Sequence, residues 1–205
     1  MARETSAAAQ TGPGAGARRI CVFCGAHEGA RPEYAQAARE TGRLIAARGL
    51  GVVYGGTSIG LMGLVADAAL AGGAEVIGVL PGSLVEKEIA HRGLSDLRVV
   101  QSLAERKQLM FDLSDAFVTL PGGTGTLDEL SEMLTWAQLG FSSKPLGVLN
   151  VSGYFDPLLG WLRHAVAEGM VIERHLALLS VESDPARLLE ALLGPPAAAA
   201  AGGRS

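Results

Sequence analysis

A chain of 205 residues, 48% of them hydrophobic, can build one sizeable core and needs no second domain. Its 17 basic against 21 acidic residues leave a formal charge of -4, which argues against nucleic acid polymers, whose binding rests on basic surface; a nucleotide partner should be small. Met1 to Ala17 lacks the basic start and apolar run of a signal peptide, and no run approaches the ~18 apolar residues of a membrane helix, so the expectation is a soluble, cytoplasmic protein without a membrane partner.

Arg19 to Gly25 reads as a buried strand, and Pro32 to Arg48 as a helix with Tyr34, Ala37, Ala38, Leu44 and Ile45 on one face. Val52 to Tyr54 is a short strand. It leads into Gly55-Gly56-Thr57-Ser58-Ile59-Gly60, a glycine turn opening into a helix that runs to about Ala71. Ala74 to Leu80 is a third strand, ended by Pro81-Gly82-Ser83 before an irregular acidic stretch with Glu86 and Glu88. Leu97 to Val100 (strand), Ser102 to Leu113 (helix) and Asp115 to Leu120 (strand) follow. After a second glycine turn come a helix-like segment Leu130 to Leu139, a strand Lys144 to Asn150, a helix Tyr154 to Glu168, a strand Ala177 to Val181 and a helix Pro185 to Leu193. Strands that are continuously apolar and alternate with helices predict a parallel sheet covered on both faces, a doubly wound, Rossmann-like α/β fold. The expected organisation is a disordered segment 1–17, one domain over 18–193 and a disordered tail 194–205.

The stretch Pro121-Gly122-Gly123-Thr124-Gly125-Thr126-Leu127-Asp128-Glu129 carries the chemistry. Its glycines let the backbone approach a ligand, and the following helix aims unpaired N–H groups and its positive dipole end at the turn, which makes an anion site, most often for phosphate. Both glycine turns lie at carboxyl ends of strands, where such sheets bind ligands, so Gly25, Gly55, Gly56, Gly60, Gly122 and Gly123 can converge on one crevice. Glu129 has two readings. Thr126 and Glu129 have the spacing of a capping box; alternatively, a carboxylate beside a phosphate has a catalytic task. Asp128 stands where a dinucleotide fingerprint would have its third glycine, and no Gly-Lys-Ser/Thr marks a P-loop.

Cys21 and Cys24 lie in an apolar strand-like run with no second pair, which favours buried free thiols over zinc or redox roles, and the four histidines show no metal-ligand spacing. On the helix from Ser102, Arg106 and Lys107 interrupt the stripe Leu103, Met110 and Leu113 or Ser114; they either snorkel or reach the crevice, Arg106 as a bidentate phosphate ligand and Lys107 as a secondary anion contact. In the helix after the turn, Leu127, Leu130, Leu134 and Ala137 read as the core stripe, with Glu129 off the core and Met133 and Trp136 facing a second subunit.

Glu105-Arg106-Lys107, Pro121 to Glu129, Leu134-Thr135-Trp136-Ala137-Gln138-Leu139-Gly140, Lys144-Pro145 and Leu149-Asn150 together resemble the Lonely Guy (LOG) family of cytokinin riboside 5'-monophosphate phosphoribohydrolases, over a span from about Arg19 to the last helix. The resemblance implies cleavage of the N-glycosidic bond of a nucleoside 5'-monophosphate, without metal or cofactor, by a homodimer or larger assembly. It implies substrate contacts from Glu88, Arg106, Lys107, Gly123, Thr124, Gly125, Thr126 and Thr135, with Arg106 and Glu129 as the catalytic pair. Cytokinin riboside monophosphates, and AMP as a further candidate, are the expected substrates. The sequence departs from the family at Ala26, where a serine is usual, and at Thr57, where a third glycine is usual. Similar sequences also carry a lysine decarboxylase label, which would need a Schiff-base lysine; Lys87, Lys107 and Lys144 have no setting that argues for one. The alternative from another class is a nucleotide or molybdenum-cofactor carrier of similar fold that binds without turnover.

In physical terms an oxocarbenium-like transition state would be stabilised by the Glu129 carboxylate, with Arg106 orienting it and lowering its pKa, while the glycine turns hold the 5'-phosphate.

Overall fold

The computed structural model describes residues 18–85 and 90–194. The expectations for the segments 1–17 and 195–205, and for Glu86 and Glu88, lie outside the described residues.

Seven strands form one parallel sheet: β1 (Arg19–Phe23), β2 (Gly51–Tyr54), β3 (Val76–Pro81), β4 (Asp96–Val100), β5 (Ala116–Thr119), β6 (Leu146–Leu149) and β7 (Leu179–Glu182), in the order β4-β3-β2-β1-β5-β6-β7. The chain winds outward from β1 to β4, then crosses back to place β5 on the other side of β1 and continues to β7. That reversal opens a crevice at the carboxyl ends of β1 and β5.

The helices are α1 (Pro32–Ala47), α2 (Gly60–Ala71), a four-residue α3 (Gly82–Val85), α4 (Leu103–Asp112), α5 (Thr124–Gln138), α6 (Asp156–Ala167) and α7 (Pro185–Leu193). Successive residues of a strand point to opposite faces, and both faces are covered. Ile20 and Val22 pack with Leu61, Val65 and Leu188 from α2 and α7, whereas Cys21 and Phe23 pack with Met110, Leu130, Met133 and Leu162 from α4, α5 and α6. This is the physical reason that the central strands are apolar at every position. Phe117 stacks between Phe23 and Phe111, at 5.8 and 5.7 Å between ring centroids. Cys21 and Cys24 are buried free thiols, and burial pushes both well above the ordinary thiol range.

Three local expectations are corrected. α5 starts at Thr124 rather than Leu130, and its buried face carries Thr126, Glu129, Leu130, Met133 and Leu134, while Leu127 is 42% exposed. Met133 therefore belongs to the core, and Trp136 packs edge-on to Phe111 at 4.9 Å. Leu103, expected on an apolar stripe, is 61% exposed, because the first turn of α4 stands beside the sparsely covered edge strand β4, where Val99 is also exposed.

Candidate active site

The glycine turn after β5 is tied to the end of β1 by a hydrogen bond from the Gly25 amide to the Pro121 carbonyl at 3.0 Å. A Cβ at Gly122 would stand 2.7 Å from Cβ of Thr126 and 2.9 Å from the Gly25 amide nitrogen, so only glycine lets the two turns meet. Gly123 is the N-cap of α5, and among the described residues no side chain caps it. The first-turn amides of Thr124, Gly125 and Thr126 are thus left to a ligand or solvent at the positive end of the helix dipole. Among the described residues nothing lies within 4 Å of where a Cβ would stand at Gly123 or Gly125, so the front of this turn is open.

The N-cap position decides between the two readings of Glu129. With Gly123 as cap, Thr126 falls at N3 and Glu129 one turn further on, so the two do not form a capping box. Glu129 is 7% exposed, and its Oε1 accepts from Arg106 Nη1 at 2.9 Å.

Arg106 is fixed from several sides. Ser102 caps α4 by accepting the Glu105 amide at 3.1 Å, and the Glu105 carboxylate accepts the Gln101 amide at 2.8 Å, which sets the direction of the first turn. From that turn Arg106 donates Nε to the Val79 carbonyl at 3.0 Å and lays its guanidinium on Gly55, where a Cβ would collide with Nη2 and come within 2.6 Å of Met62 Sδ. Gly56 and Gly60 hold φ of 81° and 58°, and Gly60 packs against the backbone of Ala26 and His27. Thr57 is buried, with its hydroxyl on Met62 Sδ at 3.6 Å, so its side chain serves packing.

Burial raises the Glu129 carboxyl above the ordinary carboxylate range; the charge and hydrogen bond of Arg106 pull the other way and only partly offset it. The expected lowering by Arg106 is real in sign but loses to desolvation. Lys107 lies on the outer side of the same helices, donating to Asp128 at 2.9 Å and standing 3.1 Å from Glu132. Burial lowers its pKa, but the two carboxylates more than offset that and leave it raised. Thr135 is six residues beyond Glu129, about 9 Å along the helix axis at 1.5 Å per residue. It is exposed, and its hydroxyl donates back to the Ser131 carbonyl. The structure does not bring it to the crevice of its own chain, and Glu88 lies outside the described residues.

A cavity of about 200 Å³ adjoins the turn on the α1 and α2 side, lined by Gly25, His27, Glu28, Gly29, Tyr34, Leu61, Pro121, Gly122, Gly123 and Tyr154. Arg106 and Glu129 stand on the other side of the turn, with α4 and α5. The sequence reading missed Tyr154, although its place just beyond the carboxyl end of β6, next to β5, was a usable signal. Among the described residues no group of three or more His, Cys, Asp or Glu is placed to hold a metal ion.

A family model described as possible lysine decarboxylase matches residues 62–192. Cytokinin riboside 5'-monophosphate phosphoribohydrolase LOG of Oryza sativa subsp. japonica is 50% identical over 156 residues, 76% of this chain and 64% of the rice protein. LOG3 of Arabidopsis thaliana, a cytokinin riboside 5'-monophosphate phosphoribohydrolase, is 48% identical over 154 residues, 75% of this chain and 72% of its own length. The chain belongs to the LOG family. Outside close relatives, the molybdenum cofactor binding protein of Rippkaea orientalis superposes with a TM-score of 0.66 at 23% identity, covering 87% of this chain and 96% of that one, a likeness of fold. The decarboxylase description of the family does not suit the lysines of this LOG-family chain. Lys107 is held by two carboxylates, and Lys144 donates to the Phe111 carbonyl at 2.6 Å and lies over the Phe111 ring, so neither is poised to form an imine; Lys87 lies outside the described residues.

Proposed function

We propose that this LOG-family chain hydrolyses the N-glycosidic bond of cytokinin riboside 5'-monophosphates, with AMP as a further substrate, releasing the free base and ribose 5-phosphate. The observation that carries the reading is the buried Arg106–Glu129 pair at 2.9 Å, set between two glycine turns at the switch point of the sheet. A site that only bound phosphate would gain nothing from a buried carboxylate at its edge. The relatives' names add the reaction and the class of base.

In this mechanism the 5'-phosphate sits against the Gly122–Thr126 turn, and the ribose lies toward Glu129. As the bond from C1' to the base lengthens, positive charge grows on the ribose and the Glu129 carboxylate stabilises it. Water bonds to C1' as the bond to the base breaks, and the proton that the water gives up ends on the departing base. Arg106 favours the carboxylate form of Glu129 and aims it, and phosphate binding contributes positioning, so adenosine is a poor substrate. Thr124, Gly125 and Thr126 act through their amides, and Gly25, Gly55, Gly56 and Gly60 by leaving room and shaping the crevice. Lys107 shapes the field around Glu129 through Asp128 and Glu132.

The working unit in this reading is a homodimer. Leu139, Phe141, Trp161, Met170 and Ile172 are more than half exposed, and a cavity of about 160 Å³ lined in part by Thr135, Gln138, Trp161 and Val171 connects their neighbourhoods. A second copy covers this face, and Thr135 acts from there.

Chromatography of free base after incubation with AMP and with isopentenyladenosine monophosphate tests the reaction. The wild type releases base and Glu129→Gln falls by at least about a hundredfold, the lower range for a positioned catalytic group. A Glu129→Gln protein as active as the wild type would sink the catalytic assignment.

A further inference from the structure

Between β6 and α6 the chain follows a strained path. Ser152, with φ 50° and ψ 30°, is the one non-glycine residue with positive φ among the described residues. Such backbone persists where its surroundings over-determine it, and it gathers at functional sites. Asn150 supplies those surroundings. Its amide nitrogen Nδ2 donates to Asp156 Oδ1 at 2.7 Å, its Oδ1 accepts the Phe155 backbone N–H at 2.8 Å, and its own backbone N–H donates to the Glu182 carbonyl at 2.7 Å.

What this path delivers is Tyr154. Its hydroxyl donates to the Gly122 carbonyl, and its ring stands edge-on to Tyr34 at 5.4 Å and to Phe155 at 5.0 Å. Tyr154 is thus both a wall of the cavity beside the anion turn and a tether on the turn itself.

The tether has a consequence for the donor set. A peptide unit is planar and trans, so the Gly122 carbonyl and the Gly123 N–H point in opposite directions, and fixing one fixes the other. A unit between two glycines rotates with little steric resistance, and rotation would put a carbonyl where the amide stands, turning a donor toward phosphate into a repelling acceptor. Neither flanking residue carries a side chain, and among the described residues the space where a Cβ of Gly123 would stand is open.

We infer that Tyr154 is a positioning residue, acting through the Gly122–Gly123 peptide to hold the turn in its anion-accepting orientation. The inference rests on the proposed reading in which this turn receives the 5'-phosphate. Ser152, Asn150 and Asp156 place the tyrosine, and Tyr34 supports its ring.

Tyr154→Phe keeps the ring and removes the tether. Calorimetric titration of wild type and variant with AMP, ribose 5-phosphate and adenosine reads the effect directly. The expected result is a weakening of about tenfold for AMP and ribose 5-phosphate, the scale of one lost hydrogen bond, with adenosine binding unchanged. KM for AMP rises by the same factor and kcat stays within about twofold, a split that loss of packing alone does not produce. Unchanged affinity for both phosphate compounds overturns the inference, as does an equal loss for adenosine. Base release and binding are read separately: a wild type that binds AMP without releasing base sinks the hydrolase reading, and a tenfold loss in Tyr154→Phe of such a protein still supports the tether.

Discussion

Glu129 is held in a balance between two opposed effects, and the balance has a pH signature. Burial favours its neutral form, Arg106 at 2.9 Å favours the carboxylate, and burial wins in the sense that the pKa is raised. A group whose folded pKa lies above its unfolded one contributes stability below the unfolded value and loses it as pH rises through the folded value. In the proposed mechanism activity runs the other way, because the carboxylate is the form that faces the oxocarbenium. The expected profile of kcat/KM for base release therefore has an acidic limb above the ~4.3 of an ordinary glutamate, while the stability contribution of this residue falls over the same interval. Measuring both between pH 4 and 8 checks it, and parallel rather than opposed trends would remove Glu129 as the titrating group. Arg106 contributes through its position. Its place is set by sterics at Gly55, where the missing Cβ leaves room for the guanidinium.

At the scale of elements, two helices deliver the pair, and each is positioned by its first turn. α4 is started by Ser102 and Glu105, so Ser102→Ala is expected to destabilise the protein by about 1 kcal/mol, readable in urea denaturation. It also loosens Arg106 one turn on, and base release falls with it; an unchanged unfolding midpoint would show that the cap is dispensable. α5 is started by Gly123, without a side-chain cap among the described residues, which leaves its amides for a ligand. The parallel sheet, its helices and the crevice were legible in the sequence because continuous apolar strands and glycine turns at their ends follow directly from burial on both faces and close backbone approach. The cap of α5 was not. Thr126-x-x-Glu129 fits a capping box on spacing alone, and only the path of the turn moves the helix start back to Gly123, which also rotates Glu129 and Met133 inward and Leu127 outward. Of Tyr154 only its place beyond the carboxyl end of β6 was legible; its bond to Gly122 joins two loops that periodicity does not describe.

At the scale of the whole molecule, the described chain buries its sheet on both faces but leaves several of its largest apolar side chains exposed around α5 and α6. Trp161, 60% exposed, lines the groove between α5 and α6, while Phe141 at 74% and Met170 at 83% stand in the segments that follow the ends of those helices. Scattered apolar residues need no explanation, but a patch of large ones beside a groove marks an interface. The proposed occupant is a second copy, because α5 runs from the anion turn at its N-terminus to this face, so a symmetric contact brings Thr135 of each copy into a shared interface. The double variant Phe141→Asp, Trp161→Asp puts four charges into an isologous contact of two chains and is expected to give a folded monomer by sedimentation velocity, with far-ultraviolet circular dichroism unchanged. If the dimer completes the site, base release from AMP falls by at least about tenfold in that monomer, the effect of losing one or two ligand contacts, while Arg106 and Glu129 remain paired. A monomeric variant with full activity would show that each chain works alone, and a variant that stays dimeric would move the contact to another face.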